Sequence, residues 1–339
     1  MFLYNLSMCF YVDNLLKAMF FRIWHTQKAD NMVKRCSLVV ILLALLTACI
    51  PQSNSPEKVI DLNNLQPVPS PTGSGIRPLR VAVAAVISPQ GTVESYTPLL
   101  AYIERHLNRP IELVQGSNYA EVNDLLRAGD VDLAFVCTGA YLMGVQDFGM
   151  KILVAPEVKG ETAYYSWIIV PAESSAARIE DLRGKTFAFT DPLSLSGRLY
   201  PIHLFQNLGY NAETFFSKTF FTYSHEASIR AVANKLADGA AVDSLVYQFM
   251  VEREPQIGEK TRVIHVSPPF GIPPVVVSPN LRPQLRAELE EIFLHMHKEP
   301  DGRAALNSIG VDRFLLLADS AYDTARQLNA LLTPSPMEP

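Results

Sequence analysis

The chain has 339 residues, 48% of them hydrophobic, and a formal net charge of −5. That length holds two modest domains or one large one, and the apolar share supplies a real core. The charge is mild and no basic stripe runs along the chain, which argues against a nucleic-acid-binding protein.

The N-terminus carries an address. Met32-Val33-Lys34-Arg35 supplies a start and two positive charges, and Cys36 to Leu46 is an apolar run too short to span a bilayer comfortably. It ends Leu46-Thr47-Ala48-Cys49. A basic stretch, a short apolar stretch and small residues before a cut describe a secretory signal over 32–48. The Leu-Thr-Ala-Cys ending resembles a bacterial lipobox, with Cys49 as the lipidated first residue of the mature protein. A simple signal peptide or an anchor helix is the alternative. Residues 1–31 precede a complete signal and read as an over-extended start. Residues 49–77, rich in Pro, Ser, Asn and Gly, form a flexible tether. The expected location is therefore extracytoplasmic, in the periplasm or on the outer face of the cell membrane, held by lipid on Cys49. Of the four cysteines only Cys137 lies in the soluble body, so no internal disulfide forms there. No Cys/His spacing suggests a metal, and nothing calls for a cofactor.

The body alternates. Leu79 to Ala85 is a buried-type strand, Thr92 to Leu107 an amphipathic helix, Pro110 to Gln115 a strand, Tyr119 to Arg127 a helix, and Val131 to Val136 a strand. This β-α-β-α-β order predicts an α/β sheet with parallel strands. A helix follows at Thr138 to Val145, then strands at Lys151 to Ala155 and Tyr164 to Val170. The pattern then restarts. Strand Thr186 to Phe189 runs into Thr190-Asp191-Pro192-Leu193-Ser194-Leu195-Ser196-Gly197, and an apolar, helix-spaced segment from Arg198 to Leu208 runs out of it. Two hydroxyls and a glycine thus sit where a helix begins. Free backbone N–H groups and the helix dipole make such an end an anion site, although an ordinary capped turn has the same composition.

Strand Lys218 to Thr222, a helix capped by Ser224 and ended by Gly239, and strand Ala240 to Val242 follow. The segment Asn123 to Val136 is echoed by Asn234 to Val242: a helix, a glycine and an inner strand. After Pro273-Pro274 come strand Val275 to Ser278 and helices near Pro283 to His297, Arg303 to Ile309 and Ser320 to Leu332. The expected division is lobe one at 78–169, lobe two at 170–274, and a return to lobe one at 275–333. In open α/β sheets ligands sit at the carboxyl ends of strands. Tyr119, Cys137, Thr138, Ser194, Ser196, His225, Asp243 and Ser244 all fall at such ends or at the helix starts beyond them. His295 and His297 read as a surface pair.

With these motifs in hand (Val131-Asp132-Leu133-Ala134-Phe135, Asp191 to Gly197, Ser224-His225-Glu226-Ala227 and Ala241-Val242-Asp243-Ser244), the chain resembles the periplasmic phosphate/phosphite/phosphonate-binding proteins of ABC transporters over residues 78 to 332. The resemblance implies a two-lobed periplasmic-binding-protein fold of type II, α/β, with two crossover strands and the ligand in the cleft. It implies a monomeric, non-enzymatic solute receptor that serves an ABC permease and ATPase. Tyr119, Ser194, Ser196 and His225 would hold phosphoryl oxygens, aided by the amides of Leu195 and Ser196. Thr138 would add a lobe-one donor, with Asp243 and Ser244 nearby. Asp243 either accepts a bond from a protonated oxygen or orients His225. At the helix start a neutral His225 is favoured over a cation.

The chain departs from the family's aminoethylphosphonate binders. They set acidic side chains around the ligand's ammonium, near the positions of Leu245 and of Gly271-Ile272-Pro273-Pro274. Leu245 and Ile272 are apolar, and a desolvated ammonium there would lack a partner. The expected ligand is a small phosphorus oxyanion without an amine: phosphite, methylphosphonate or a similar phosphonate, with phosphate also open. A module reporting ligand to a membrane histidine kinase is the alternative function.

Overall fold

The structure, a computed structural model, describes residues 77–332. The over-extended start, the signal, Cys49 and all but the last residue of the tether lie outside the described residues. Among the described residues no helix is long and apolar enough to cross a membrane.

Lobe one begins with β1 (Leu79–Val83), α1 (Pro89–Leu107), β2 (Ile111–Gln115), α2 (Tyr119–Ala128), β3 (Leu133–Phe135), α3 (Thr138–Phe148) and β4 (Lys151–Glu157). The chain crosses at β5 (Ala163–Tyr164) into β6 (Ser166–Pro171), β7 (Thr186–Phe189), α4 (Tyr200–Asn207), the short α5 (Ala212–Phe215), β8 (Lys218–Phe221), α6 (His225–Ala233), β9 (Gly239–Asp243), α7 (Ser244–Arg253), α8 (Gln256–Lys260) and β10 (Thr261–Val266). It returns through β11 (Phe270–Gly271) to β12 (Val275–Val277), α9 (Pro283–His295), α10 (Pro300–Ser308), β13 (Arg313–Leu315) and α11 (Asp323–Leu332).

Each lobe is built on one sheet. Lobe one has six strands in the order β13-β4-β12-β3-β1-β2, and lobe two has five in the order β10-β6-β9-β7-β8. The inner strands β1, β2 and β3 pair in parallel, as do β7 with β8 and β9, and the returning β12 enters antiparallel between β3 and β4. Both faces of the lobe-two sheet are buried: Ile169, Ala240 and Val242 pack into one cluster and Ile168 and Ala241 into the other. That is the two-residue period of a strand covered on both sides.

The hinge is a separate two-stranded ribbon in which β5 and β11 run antiparallel. Because β6 pairs with β9, residues 166–171 belong to lobe two, and the crossing falls at β5 rather than near Val170. Tyr164 to Val170 is one apolar run, so no change of composition marks the point where it leaves one sheet for the other. Likewise α6 ends at Ala233 with Asn234 as its cap, and Gly239 opens β9 instead of ending the helix.

The two lobes touch. The Tyr119 amide donates to Asp191 Oδ2 at 3.1 Å, and the amides of His225 and Glu226 donate to the Val86 carbonyl at 3.0 and 3.3 Å. The Ser88 amide donates to Glu226 Oε2 at 2.8 Å, and Lys159 pairs with Glu252 at 2.6 Å. Gly139 lies flat against the opposite lobe, where an added Cβ would stand 2.1 Å from the Leu193 carbonyl oxygen. The cleft is closed.

Candidate functional site

Helix N-termini converge on this cleft. Five of them begin at or beside a sequence-predicted residue: α2 at Tyr119, α3 at Thr138, the turn into α4 at Leu195, α6 at His225 and α7 at Ser244. Each follows the carboxyl end of a strand or the loop beyond it, and each brings its first-turn amides and the positive end of its dipole to the cleft. Local caps set the geometry. Asn118 accepts from the Glu121 amide at 2.9 Å, Ser194 from Gly197 at 2.9 Å, Ser224 from Ala227 at 3.3 Å, and Asp243 from Leu245 at 2.7 Å.

The Ser194 turn differs from the regular helix start expected there. Leu195–Leu199 is a π-helical turn, with the Leu199 amide bonded to the Ser194 carbonyl at 2.9 Å, and it widens the first turn before α4. Asp191 pins the loop before it, accepting from the Leu193 amide at 2.8 Å through one carboxylate oxygen and from Tyr119 through the other. Its carboxyl is pushed up by burial, which the two amide bonds counter.

His225 is buried and fixed in one tautomer. Its Nδ1 accepts the Asp243 amide at 3.0 Å and lies 3.2 Å from Thr190 Oγ1. An acceptor at Nδ1 puts the proton on Nε2, which points to Ser194 Oγ at 3.4 Å. Burial lowers the pKa to about 3, so the ring is a neutral donor. Ser194 Oγ therefore receives two N–H groups and keeps its own proton to give.

Tyr119 is fully buried and its hydroxyl has no partner. Burial raises its pKa well above the usual phenol value, and the charges of Cys137, Asp191, Asp243 and Tyr164 would add in the same direction. Asp243 is buried, and desolvation raises its carboxyl to about 7 against the two amides that cap α7.

Three predicted residues are turned elsewhere. The Thr138 hydroxyl donates to the Gly271 carbonyl of β11 at 2.9 Å. Ser244 accepts the Tyr165 amide at 3.0 Å and gives its own amide back to the Tyr165 carbonyl at 3.0 Å. Both hydroxyls thus hold the hinge ribbon to the lobes. The Leu195 amide points to the Cys137 thiol, as do Gly139 and Ala140, and burial still pushes that thiol up to about 12. A hydroxyl or amide at a helix start looks the same in the sequence whichever way it turns.

Tyr164 adds a further buried phenol beside these residues. It is buried in the ribbon, and the Thr138 and Ser196 hydroxyls lower its pKa against the larger upward push of burial. In sequence it stands beside Tyr165 and Trp167 in an apolar run and reads as core.

A family model described as "ABC transporter, phosphonate, periplasmic substrate-binding protein" matches residues 81–322. The chain belongs to that family. It is 30% identical over 241 residues to the phosphate-import protein PhnD of Mycolicibacterium smegmatis, covering 67% of this chain and 70% of that protein. It is 26% identical over 256 residues to the phosphonates-binding periplasmic protein of Escherichia coli, covering 74% of this chain and 75% of that one. The crystal structure of a binding-protein component of an ABC phosphonate transporter from Pseudomonas aeruginosa superposes with a TM-score of 0.71 at 23% identity, over 75% of this chain and 85% of that one. This last likeness speaks to the fold, which is the two-lobed periplasmic-binding-protein fold. As a member of the phosphonate-binding family the chain is an extracytoplasmic substrate-binding protein of an ABC transporter.

Proposed function

We propose that this phosphonate-family binding protein delivers a small, amine-free phosphorus oxyanion to its permease and ATPase, and that the ligand is held between Tyr119, Tyr164, Ser194, Ser196 and His225. The observation that carries the reading is the buried, unpartnered Tyr119 hydroxyl, on a residue whose amide bonds Asp191 of the opposite lobe. A buried hydroxyl without a partner costs about 1–3 kcal/mol, so a ligand oxygen there repays closure. The same ligand oxygens reach the Ser194 hydroxyl, polarised by His225, and the Ser196 hydroxyl. Neutral donors suffice because charge-assisted bonds are strong where water is excluded. Asp243, with a carboxyl near neutrality, faces a protonated oxygen or shares a proton with the ligand. Thr138 and Ser244 serve the hinge.

Closure follows from contacts to both lobes: a ligand that bonds Tyr119 on one side and Ser194, Ser196 and His225 on the other favours the closed state. Relatives named for import and periplasmic binding favour transport over the kinase-sensor alternative. Lipid on Cys49 would anchor the protein. Radiolabelled fatty acid should enter the wild type and not Cys49→Ser, and equal labelling of both would remove the lipobox reading.

Calorimetric titration of the full-length protein with phosphite, methylphosphonate, aminoethylphosphonate and phosphate tests the ligand class. We expect tight binding of an amine-free ligand, weakened about a hundredfold or more by Ser194→Ala with Ser196→Ala, since each lost bond to a charged group costs about 1.5–3 kcal/mol. Preference for aminoethylphosphonate would overturn the argument from Leu245 and Ile272. Silence from all four at millimolar concentration would overturn the oxyanion site.

A further inference from the structure

The loop from β1 into α1 meets lobe two at the start of α6. The Val86 carbonyl of that loop accepts the amides of His225 and Glu226 at 3.0 and 3.3 Å and the Ser224 hydroxyl at 3.3 Å. In the other direction Glu226 Oε2 accepts the Ser88 amide at 2.8 Å. Ser88 caps α1, and a Cβ added at Gly91, in the first turn of that helix, would lie 3.8 Å from the same oxygen. Glu226 itself stands in the first turn of α6. The starts of α1 and α6 are thus brought together across the cleft, and one carboxylate serves both positive dipole ends. Its position is fixed from within lobe two. Oε1 accepts from Arg230 Nε at 2.9 Å, and Arg230 is gripped by both oxygens of Glu254 at 3.0 and 2.6 Å. Burial pushes the Glu226 carboxyl up, but the Ser88 amide and Arg230 outweigh it and hold it below the ordinary value. The Glu226 side chain is 16% exposed, whereas Lys159 and Glu252, which also pair across the lobes, are 60% and 59% exposed. Exposed pairs are worth little, and sheltered charge-assisted bonds are worth more.

We propose that Glu226 is a positioning residue for ligand capture: it latches the α1 start of lobe one to the helix that carries His225, and so sets how tightly a ligand is held without selecting which ligand it is. The bond to Ser88 joins the two lobes and therefore exists only when they meet. Both carboxylate oxygens are taken by protein groups, which leaves the ligand to His225 and the Ser194 turn. A ligand that is bound by both lobes gains from every bond made only in the closed form, whatever its own chemistry. The inference rests on the proposed site through His225 and extends it to a residue outside the ligand's reach.

Titration of the full-length protein with phosphite, methylphosphonate and phosphate tests the latch. Glu226→Ala should weaken each ligand that binds by the same factor, about tenfold, with the loss in the dissociation rate. Ser88→Pro removes the amide at a φ of −59°, which proline adopts, whereas Ser88→Ala removes the cap hydroxyl alone. The loss from Ser88→Pro beyond that from Ser88→Ala should match the loss from Glu226→Ala and vanish where Glu226 is already alanine. Lys159→Met should stay within about twofold of the wild type. An unequal loss that reorders the ligands would make Glu226 a ligand contact, and a Ser88→Pro loss that persists in the Glu226→Ala background would leave it a merely structural residue. Either result overturns the latch and leaves the oxyanion reading standing. Binding of none of the three would overturn the oxyanion reading, and hydrogen exchange at the Ser88 amide would still decide on Glu226. In the ligand-free protein that amide should exchange more slowly in the wild type than in Glu226→Ala, and equal rates would overturn the latch.

Discussion

At the scale of the residue, the Asp243 amide decides which nitrogen of His225 carries the proton, and desolvation keeps that ring neutral. The two groups pull stability in opposite directions with pH. His225 titrates in the folded state near 3 instead of 6.5, so the stability of its neutral form is present above pH 6.5 and is lost as the pH falls toward 3. Asp243 titrates near 7 instead of 3.8, so the stability of its protonated form is present below pH 3.8 and is lost as the pH rises through 7. Asp243→Asn removes the second contribution alone. Its melting temperature should therefore gain on the wild type as the pH is raised from 5 to 8, and parallel profiles for the two proteins would show that Asp243 does not titrate there. Neutral His225 and the paired serines were legible in the sequence, because both follow from what a helix N-terminus does to charge and to hydroxyls. Asp191 was legible only as a turn residue. Its second oxygen serves a partner 72 positions away, which local pattern cannot supply.

Elements were read correctly where their period was long and their ends were capped. α2 was expected to start at Tyr119 and does, and Asn118 and Gly129 close it at either end. The run-out from Ser194 was read as a plain helix, whereas it opens with a π-helical turn, because the sequence fixes neither the carbonyl to which an amide returns nor the width of the turn. Gly139 shows how an element start serves the whole. Its bare Cα admits the Leu193 carbonyl from the other lobe, and Gly139→Ala would place a methyl 2.1 Å from that oxygen. Backbone cannot yield as a side-chain tip does, so the lobes must stay apart. We predict that Gly139→Ala keeps the melting temperature of the ligand-free protein within about 2 °C and lowers ligand affinity at least tenfold. Unchanged affinity would mean that the contact is dispensable to binding.

For the molecule as a whole, the β-α-β alternation and its restart gave two lobes, and the echo of Asn123 to Val136 in Asn234 to Val242 corresponds to the inner strands β3 and β9 of the two sheets. The hinge was harder to read. β5 and β11 have two residues each, too few for a period, and Tyr165 alone separates β5 from β6. That brevity hid the crossing point and the place of Tyr164 in the ribbon. Two of the expected site residues hold the crossing instead: the Thr138 hydroxyl bonds β11 and Ser244 bonds Tyr165.

In the proposed function, neutral donors from both lobes hold a phosphorus oxyanion at the Ser194 turn. A crystal structure of the protein with methylphosphonate tests it most directly. We predict phosphoryl oxygens within about 3 Å of the Tyr119 and Ser194 hydroxyls and of His225 Nε2, in a closed cleft, with no lysine or arginine side chain in contact. A ligand found away from the turn, or one held chiefly by a cationic side chain, would contradict it.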